Sequence, residues 1–349
     1  MKDPRVDYKF AQKKAAEIDY EWYSVRSILG NAWALFYILL GGREAGKSYS
    51  VMRFFIDQWK SKGTPFTWLR LKNRTQRALL ENNAMKLVDA DIRRHYDLDL
   101  KTNGCEVYDH GKLMCRVLDI STFYDAKGQA LYDNEYLKTH LSYNICLDEM
   151  NKEVTEKNTF DIAYAFINQL ENLVRSTKDH MNIFLIGNTL EEASDLLCLF
   201  NFIPEDFGRY YVRKKRAVID YMPPTEKYLE RRKGTVADLL SPESSTFTNK
   251  IEVDKSLVAK KRPIKPAYTI MFSKEKGDWF TVWDSKVIAQ YNGEKVRKIP
   301  MRPYLDQQFD TEERDNIIEM YDCRAFQFKT LFCQKLFTKN LSLLKPRQH

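Results

Sequence analysis

The eight residues Gly41-Gly-Arg-Glu-Ala-Gly46-Lys47-Ser48 constrain this chain more than any other feature. They fit the pattern G-x-x-x-x-G-K-[ST] in full. Such a segment works only between a buried strand and a helix. Its glycines let the backbone curl until successive N–H groups point at a phosphate. The helix that follows adds its positive dipole end. Both flanking elements are legible. Phe36-Tyr-Ile-Leu-Leu40 is a short apolar run that reads as a buried strand, and a helical pattern extends from Lys47 to about Trp59. Gly41, Gly42, Arg43, Glu44, Ala45, Gly46, Lys47, Ser48 and Tyr49 are therefore the expected nucleotide-binding residues. Lys47 is expected on the β- and γ-phosphates and Ser48 on Mg2+. A glycine turn carrying a solvated lysine is the structural alternative.

A second run, Ile145-Cys-Leu-Asp148-Glu149, reads as a buried strand that ends in two carboxylates. Phosphoryl transfer needs one acid to hold Mg2+ and another to orient the attacking water. Asp148 is expected in the first role and Glu149 in the second. Strands lie between the loop and Asp148, and the glutamate directly follows the aspartate. This order is similar to the additional-strand, catalytic-glutamate branch of P-loop ATPases. The chain has no N-K-x-D guanine reader, which favours ATP. Asn188 ends the run Phe184-Leu-Ile-Gly-Asn188, where that branch keeps a polar residue to sense the γ-phosphate. An Asn closing a strand turn is the plainer account.

Further strands are expected at Pro65–Leu71, Asn144–Asp148 and Asn182–Gly187, with a hairpin over 105–120. Helices are expected over 75–95 and 159–178. Strands alternating with helices give an α/β domain with a largely parallel sheet. After Pro223-Pro224 a charged helical stretch (226–240) and a linker-like Ser241–Thr248 follow. Beyond Ile251 strands dominate, at 267–272, 279–284 and 287–291, with helical segments over 310–323 and 326–337. The expected domains are 1–222, an ATPase domain; 223–250, a helical linker or lid; and 251–349, a smaller α+β domain. A chain of 349 residues accommodates this.

Composition sets the remaining bounds. No window approaches the roughly 18 apolar residues of a membrane span, and the charged N-terminus does not read as a signal peptide. The six cysteines form no C-x-x-C pair, so buried thiols in a reducing cytoplasm are expected and a zinc site is not. Net charge is +8, and residues 251–349 hold most of it, with 19 Lys and Arg against 13 Asp and Glu. A basic module fits a polyanionic partner.

Several stretches together resemble one family, the DNA-packaging ATPases (encapsidation proteins) of small, short-tailed bacteriophages of the phi twenty-nine type. They are Ser27-Ile-Leu ahead of the Gly-Gly-Arg-Glu-Ala-Gly-Lys-Ser loop, Phe66-Thr-Trp-Leu-Arg70, Leu147-Asp-Glu149, Leu173-Val-Arg175, Gly187-Asn188, Leu199-Phe-Asn-Phe-Ile-Pro204 and Trp279-Phe-Thr-Val-Trp-Asp284. The resemblance spans nearly the whole chain. It implies a homo-oligomeric ring of five subunits at the portal vertex of an empty capsid, acting in the host cytoplasm and driving double-stranded DNA inward with ATP. It implies contacts with the capsid portal (connector) and with a structural packaging RNA. It also implies that Arg175 completes a neighbour's site as a trans finger, with Lys127 assisting, against the plainer reading of an Arg solvated at a helix C-terminus. The C-terminal part resembles an RNase H-like domain. Only Asp284 stands at a fitting strand end, so a non-cleaving docking module is expected. Its Lys255, Lys260, Lys261, Arg262 and Lys265 suit phosphate contacts.

Two basic runs stay open. Arg70, Lys72, Arg74 and Arg77 can face DNA, a neighbouring nucleotide or water, and so can Arg213-Lys-Lys-Arg216. Two other functions share the nucleotide residues: a helicase or replication ATPase working on single strands, and a non-hydrolysing nucleotide-dependent scaffold. Stimulation by single- or double-stranded DNA separates the first. Measurable turnover excludes the second.

Overall fold

The computed structural model describes residues 21–121, 143–151, 161–174, 181–188, 194–241, 256–259, 266–272, 279–284, 287–291, 301–304 and 311–344. Pro4–Leu196 with Asp206–Ile251 form one compact unit, and Leu197–Glu205 with Glu252–His349 belong to the other. Helices Glu226–Arg232 and Val236–Leu240 thus fall in the first unit. No helix of the described residues is long and apolar enough to cross a membrane.

The first unit is built on a nine-stranded sheet. Its strands are β1 (Phe36–Leu40), β2 (Phe66–Arg70), β3 (Leu100–Asn103), β4 (Glu106–Asp109), β5 (Lys112–Asp119), β6 (Tyr143–Asp148), β7 (Met181–Gly187), β8 (Gly208–Val212) and β9 (Ala217–Tyr221). They lie in the order β3-β4-β5-β2-β6-β7-β1-β9-β8. The run from β5 to β9 is parallel throughout. Antiparallel strands close both edges. The sheet is therefore mixed, with a parallel centre. β1 and β2 are buried along nearly their whole length, as apolar runs between covered faces must be.

Helix α1 (Lys47–Lys62) covers the centre. It buries Val51, Met52, Phe55 and Ile56, an i, i+1, i+4, i+5 stripe. Phe55 meets Phe66 of β2 and Phe184 of β7 at 5.1 and 5.6 Å between centroids. Full burial of such a ring contributes roughly 1.5–3 kcal/mol. Helix α2 (Asn73–Ala84) and α3 (Ala90–His95) replace the continuous helix expected over 75–95. The break has a local cause. Glu81 turns extended and Asn82 and Asn83 are left-handed (φ 51 and 57), a conformation asparagine tolerates better than most residues. Helix α4 (Ile162–Val174) follows β6, and α5 (Glu226–Arg232) and α6 (Val236–Leu240) follow β9. Gly234, left-handed at φ 76, separates the last two.

The second unit holds β10 (Pro266–Met271), β11 (Trp279–Trp283), β12 (Val287–Tyr291), β13 (Met301–Tyr304) and β14 (Gln327–Phe328), in the order β13-β10-β11-β12-β14. Helices α7 (Thr311–Asp322) and α8 (Leu331–Leu344) complete it. Phe337 of α8 fills its core, 5.1 Å from the rings of both Phe272 and Phe280. The helix expected over 326–337 begins instead as strand. Phe326 and Phe328 are both buried, at a strand's period of two.

Candidate functional site

β1 carries the glycine loop to the carboxyl edge of the parallel strands. It pairs with β7 on one side and β9 on the other, so the chain leaves Leu40 at the middle of the sheet. Gly46 is left-handed (φ 84), and α1 starts at the next residue. A Cβ on Gly46 would lie 3.2 Å from Cε3 of Trp22. Conformation and space both call for glycine here.

Lys47 is buried, 5% exposed. Its Nζ donates to the carbonyls of Gly41 and Gly42, at 2.9 and 2.5 Å. Burial pulls its pKa down from 10.5 to about 8, against the attraction of Asp148.

β6 ends at Asp148. β7 lies between it and β1, so the two strand ends are one strand apart. Ser48 Oγ donates to Asp148 Oδ1 at 2.9 Å, across 100 residues of sequence. Burial raises the Asp148 carboxyl pKa, and the Arg70 guanidinium and the Ser48 hydrogen bond oppose the rise. Arg70, the last residue of β2, holds both acids. Its Nη2 is 3.2 Å from Asp148 Oδ2 and its Nη1 2.5 Å from Glu149 Oε2. Glu149 is left-handed (φ 62), a conformation that costs roughly 1–2 kcal/mol in a residue with a side chain. Such strain concentrates where a side chain has to be aimed.

Asn188 follows β7, and its carbonyl accepts from Asn151 Nδ2 at 3.2 Å. Gly187 before it is crowded: a Cβ would meet Asn151 Nδ2 at 2.9 Å and Leu40 Cδ2 at 3.0 Å. Lys47, Ser48, Arg70, Asp148, Glu149 and Asn188 all line one cleft of about 1420 Å3. Arg43, Glu44, Ala45, Gly46 and Tyr49 line it too, and the Tyr49 hydroxyl donates to Asp91 at 2.7 Å. Arg175 and Lys127 lie outside the described residues, as do Lys255, Lys260, Lys261, Arg262 and Lys265.

Three donors that sequence reasoning missed grip the loop from outside. The Arg43 carbonyl accepts from Tyr228 Oη (2.7 Å), that of Glu44 from Arg231 Nη2 (2.6 Å) and that of Ala45 from Tyr23 N (2.8 Å). In a trans peptide the C=O and N–H point opposite ways. Tying three successive carbonyls outward therefore turns the N–H groups of Glu44, Ala45 and Gly46 to the other side. Arg70 was missed as a site residue because its position depends on β2 lying beside β6, which no local pattern reveals.

The arrangement offers a cation, aligned N–H groups and a helix start for an oxyanion. Ser48 and Asp148 supply adjacent hard oxygen donors. Mg2+ takes one or two protein oxygens and leaves its other positions to phosphate and water, so the set fits it. Among the described residues no group of three His, Cys, Asp or Glu forms a cage made of protein alone.

Comparison with known proteins bears on this geometry. Residues 19–285 match the family model described as podovirus DNA encapsidation protein (Gp16). The chain belongs to this family. DNA encapsidation, the packaging of a phage genome, is therefore its function, as the resemblance implied. Two solved structures share its fold. The bacteriophage Phi-29 viral genome packaging motor assembly is 16% identical, with a TM-score of 0.62 over 93% of this chain and 100% of that one. The Phi-28 gp11 DNA packaging motor is 12% identical, with a TM-score of 0.59 over 95% of this chain and 100% of that one. No curated protein matches the sequence.

Proposed function

We propose that this encapsidation protein is the ATP-hydrolysing subunit of a motor that drives double-stranded DNA into a preformed capsid. The observation that carries this reading is the 2.9 Å link from Ser48 to Asp148, which joins the glycine loop to the strand end that bears Glu149.

The loop N–H groups and Lys47 bind the phosphates of ATP. Mg2+, held by Ser48 Oγ and the Asp148 carboxylate, would offset charge on the β- and γ-phosphate oxygens. The Glu149 carboxylate orients the attacking water and accepts its proton. Arg70, whose guanidinium lies against both Asp148 and Glu149, holds that carboxylate in place. The Asn188 carboxamide senses the γ-phosphate. Arg175 of a neighbouring subunit offsets charge on the transferring group, assisted by Lys127.

Subunits form a ring, five in number, at the portal vertex, in the host cytoplasm. The portal and a structural packaging RNA dock on the 251–349 region. That region does not cut DNA. Two-metal cleavage needs clustered carboxylates, and Asp284 is the one acid that the sequence sets at a fitting strand end.

ATP binding and turnover by the full chain test the assignment. Lys47→Ala and Asp148→Asn should abolish turnover. Glu149→Gln should bind ATP and hydrolyse it very slowly. Equal loss of binding in all three contradicts these roles. In the same assay with DNA and portal, Arg175→Ala and Glu149→Gln should each lose roughly 10³-fold and partly recover when mixed. No recovery in confirmed mixed rings removes the trans role.

A further inference from the structure

We propose that Trp22, with Arg231 seated on its ring, is the stacking platform for the base of the bound nucleotide, and that this base is a purine. The proposal rests on the nucleotide reading above.

Trp22 is out of place as a core residue. Its relative exposure is 56%, a large apolar area left to water. Of the exposed large apolar side chains among the described residues, it is the one that lines the cleft. An exposed aromatic lining the cleft is the feature that base stacking requires.

Its position borders the loop and the first turn of α1, in the same cleft as Lys47 and Ser48. The segment from Trp22 to Val25 runs along that turn. Tyr23 N donates to the Ala45 carbonyl at 2.8 Å and Val25 N to Ser50 Oγ at 2.9 Å. Trp22 itself lies against Gly46, so a side chain there would press on the ring.

The ring is also held. The Arg231 guanidinium carbon is 3.7 Å from the indole centroid. The same guanidinium donates to the Glu44 carbonyl at 2.6 Å. A cation over the ring fixes its plane, and the loop fixes the cation. Holding the indole before the base arrives reduces the entropy lost on binding. Stacking reads ring area and not base edges. The platform therefore prefers purines to pyrimidines and accepts GTP beside ATP.

Isothermal titration of the full chain with ATP, CTP and inorganic tripolyphosphate, in Mg2+, tests this. Wild type should bind ATP more tightly than CTP. Trp22→Ala should weaken ATP binding roughly tenfold, within the range of base–aromatic stacking, and leave tripolyphosphate binding unchanged. Trp22→Phe should keep most of the ATP affinity. Unchanged ATP affinity in Trp22→Ala overturns the platform. So does equal weakening of ATP and tripolyphosphate, the mark of a merely structural role. If wild type binds tripolyphosphate as tightly as ATP, the platform falls and the phosphate site stands. If it binds neither, the nucleotide reading falls as well.

Discussion

At Lys47 the cost of burying a charge opposes the phosphate-binding role proposed above. Burial lowers its pKa to about 8. The unfolded chain keeps the proton up to about 10.5, so between those values the unfolded state binds more protons. Folding stability therefore rises with pH across that window, and the burial penalty is in full force below 8. Polyphosphate binding has the opposite sign, because it needs the charged form. Affinity for tripolyphosphate should fall as pH climbs through about 8, by up to about tenfold per unit, with proton uptake on binding. Titration in two buffers of different ionisation enthalpy reads that uptake, and Lys47→Arg should abolish it. Affinity that stays flat from pH 7 to 9 contradicts the account. The meeting of Lys47, Ser48, Asp148, Glu149 and Asn188 in one cleft was legible in the sequence, because each follows or ends an apolar run. Arg70, Tyr228 and Arg231 were not legible. Arg70 depends on β2 lying beside β6, and Tyr228 and Arg231 return to the loop from α5, more than 180 residues along the chain.

At the scale of elements, a buried ion pair ties β8 and β9 to the chain before β1. Arg209 donates to both carboxylate oxygens of Asp220, at 2.9 and 2.8 Å. The Tyr23 hydroxyl donates to Asp220 at 2.8 Å, and Arg209 also reaches the Ser27 carbonyl at 2.9 Å. Asp220 is wholly buried. Removing one partner of such a pair strands the other charge. Asp220→Ala should destabilise the first unit by roughly 3–5 kcal/mol, read from urea denaturation. A loss under about 1 kcal/mol would mean that water reaches Arg209. The same pair explains why β8 and β9 escaped sequence reading. Arg209 and Asp220 sit in fully buried strands, where a charge reads as exposure. β1, β2, β6 and β7 were legible as strands because each is a short apolar run. The break in the 75–95 helix was not, because the helical spacing of Leu79, Leu80, Met85, Leu87 and Val88 runs across the Asn82-Asn83 turn signal.

At the scale of the whole molecule, Phe200 to Pro204, one of the stretches that carry the family resemblance, does not belong with the strand it follows. It lies in Leu197–Glu205, which joins the second compact unit. The Leu331 N–H at the start of α8 lies 3.4 Å from Glu205 Oε1, an acceptor placed where a helix start favours negative charge. A reading that follows the chain in order misses such a return, because nothing local marks it. The central claim is that one ATP site powers encapsidation. The measurement that tests it most directly is nuclease-protected DNA in empty capsids supplied with ATP, portal and the full chain. Wild type should protect a full genome length. Glu149→Gln should bind ATP with near wild-type affinity and protect none. Packaging by Glu149→Gln at the wild-type rate would contradict the account.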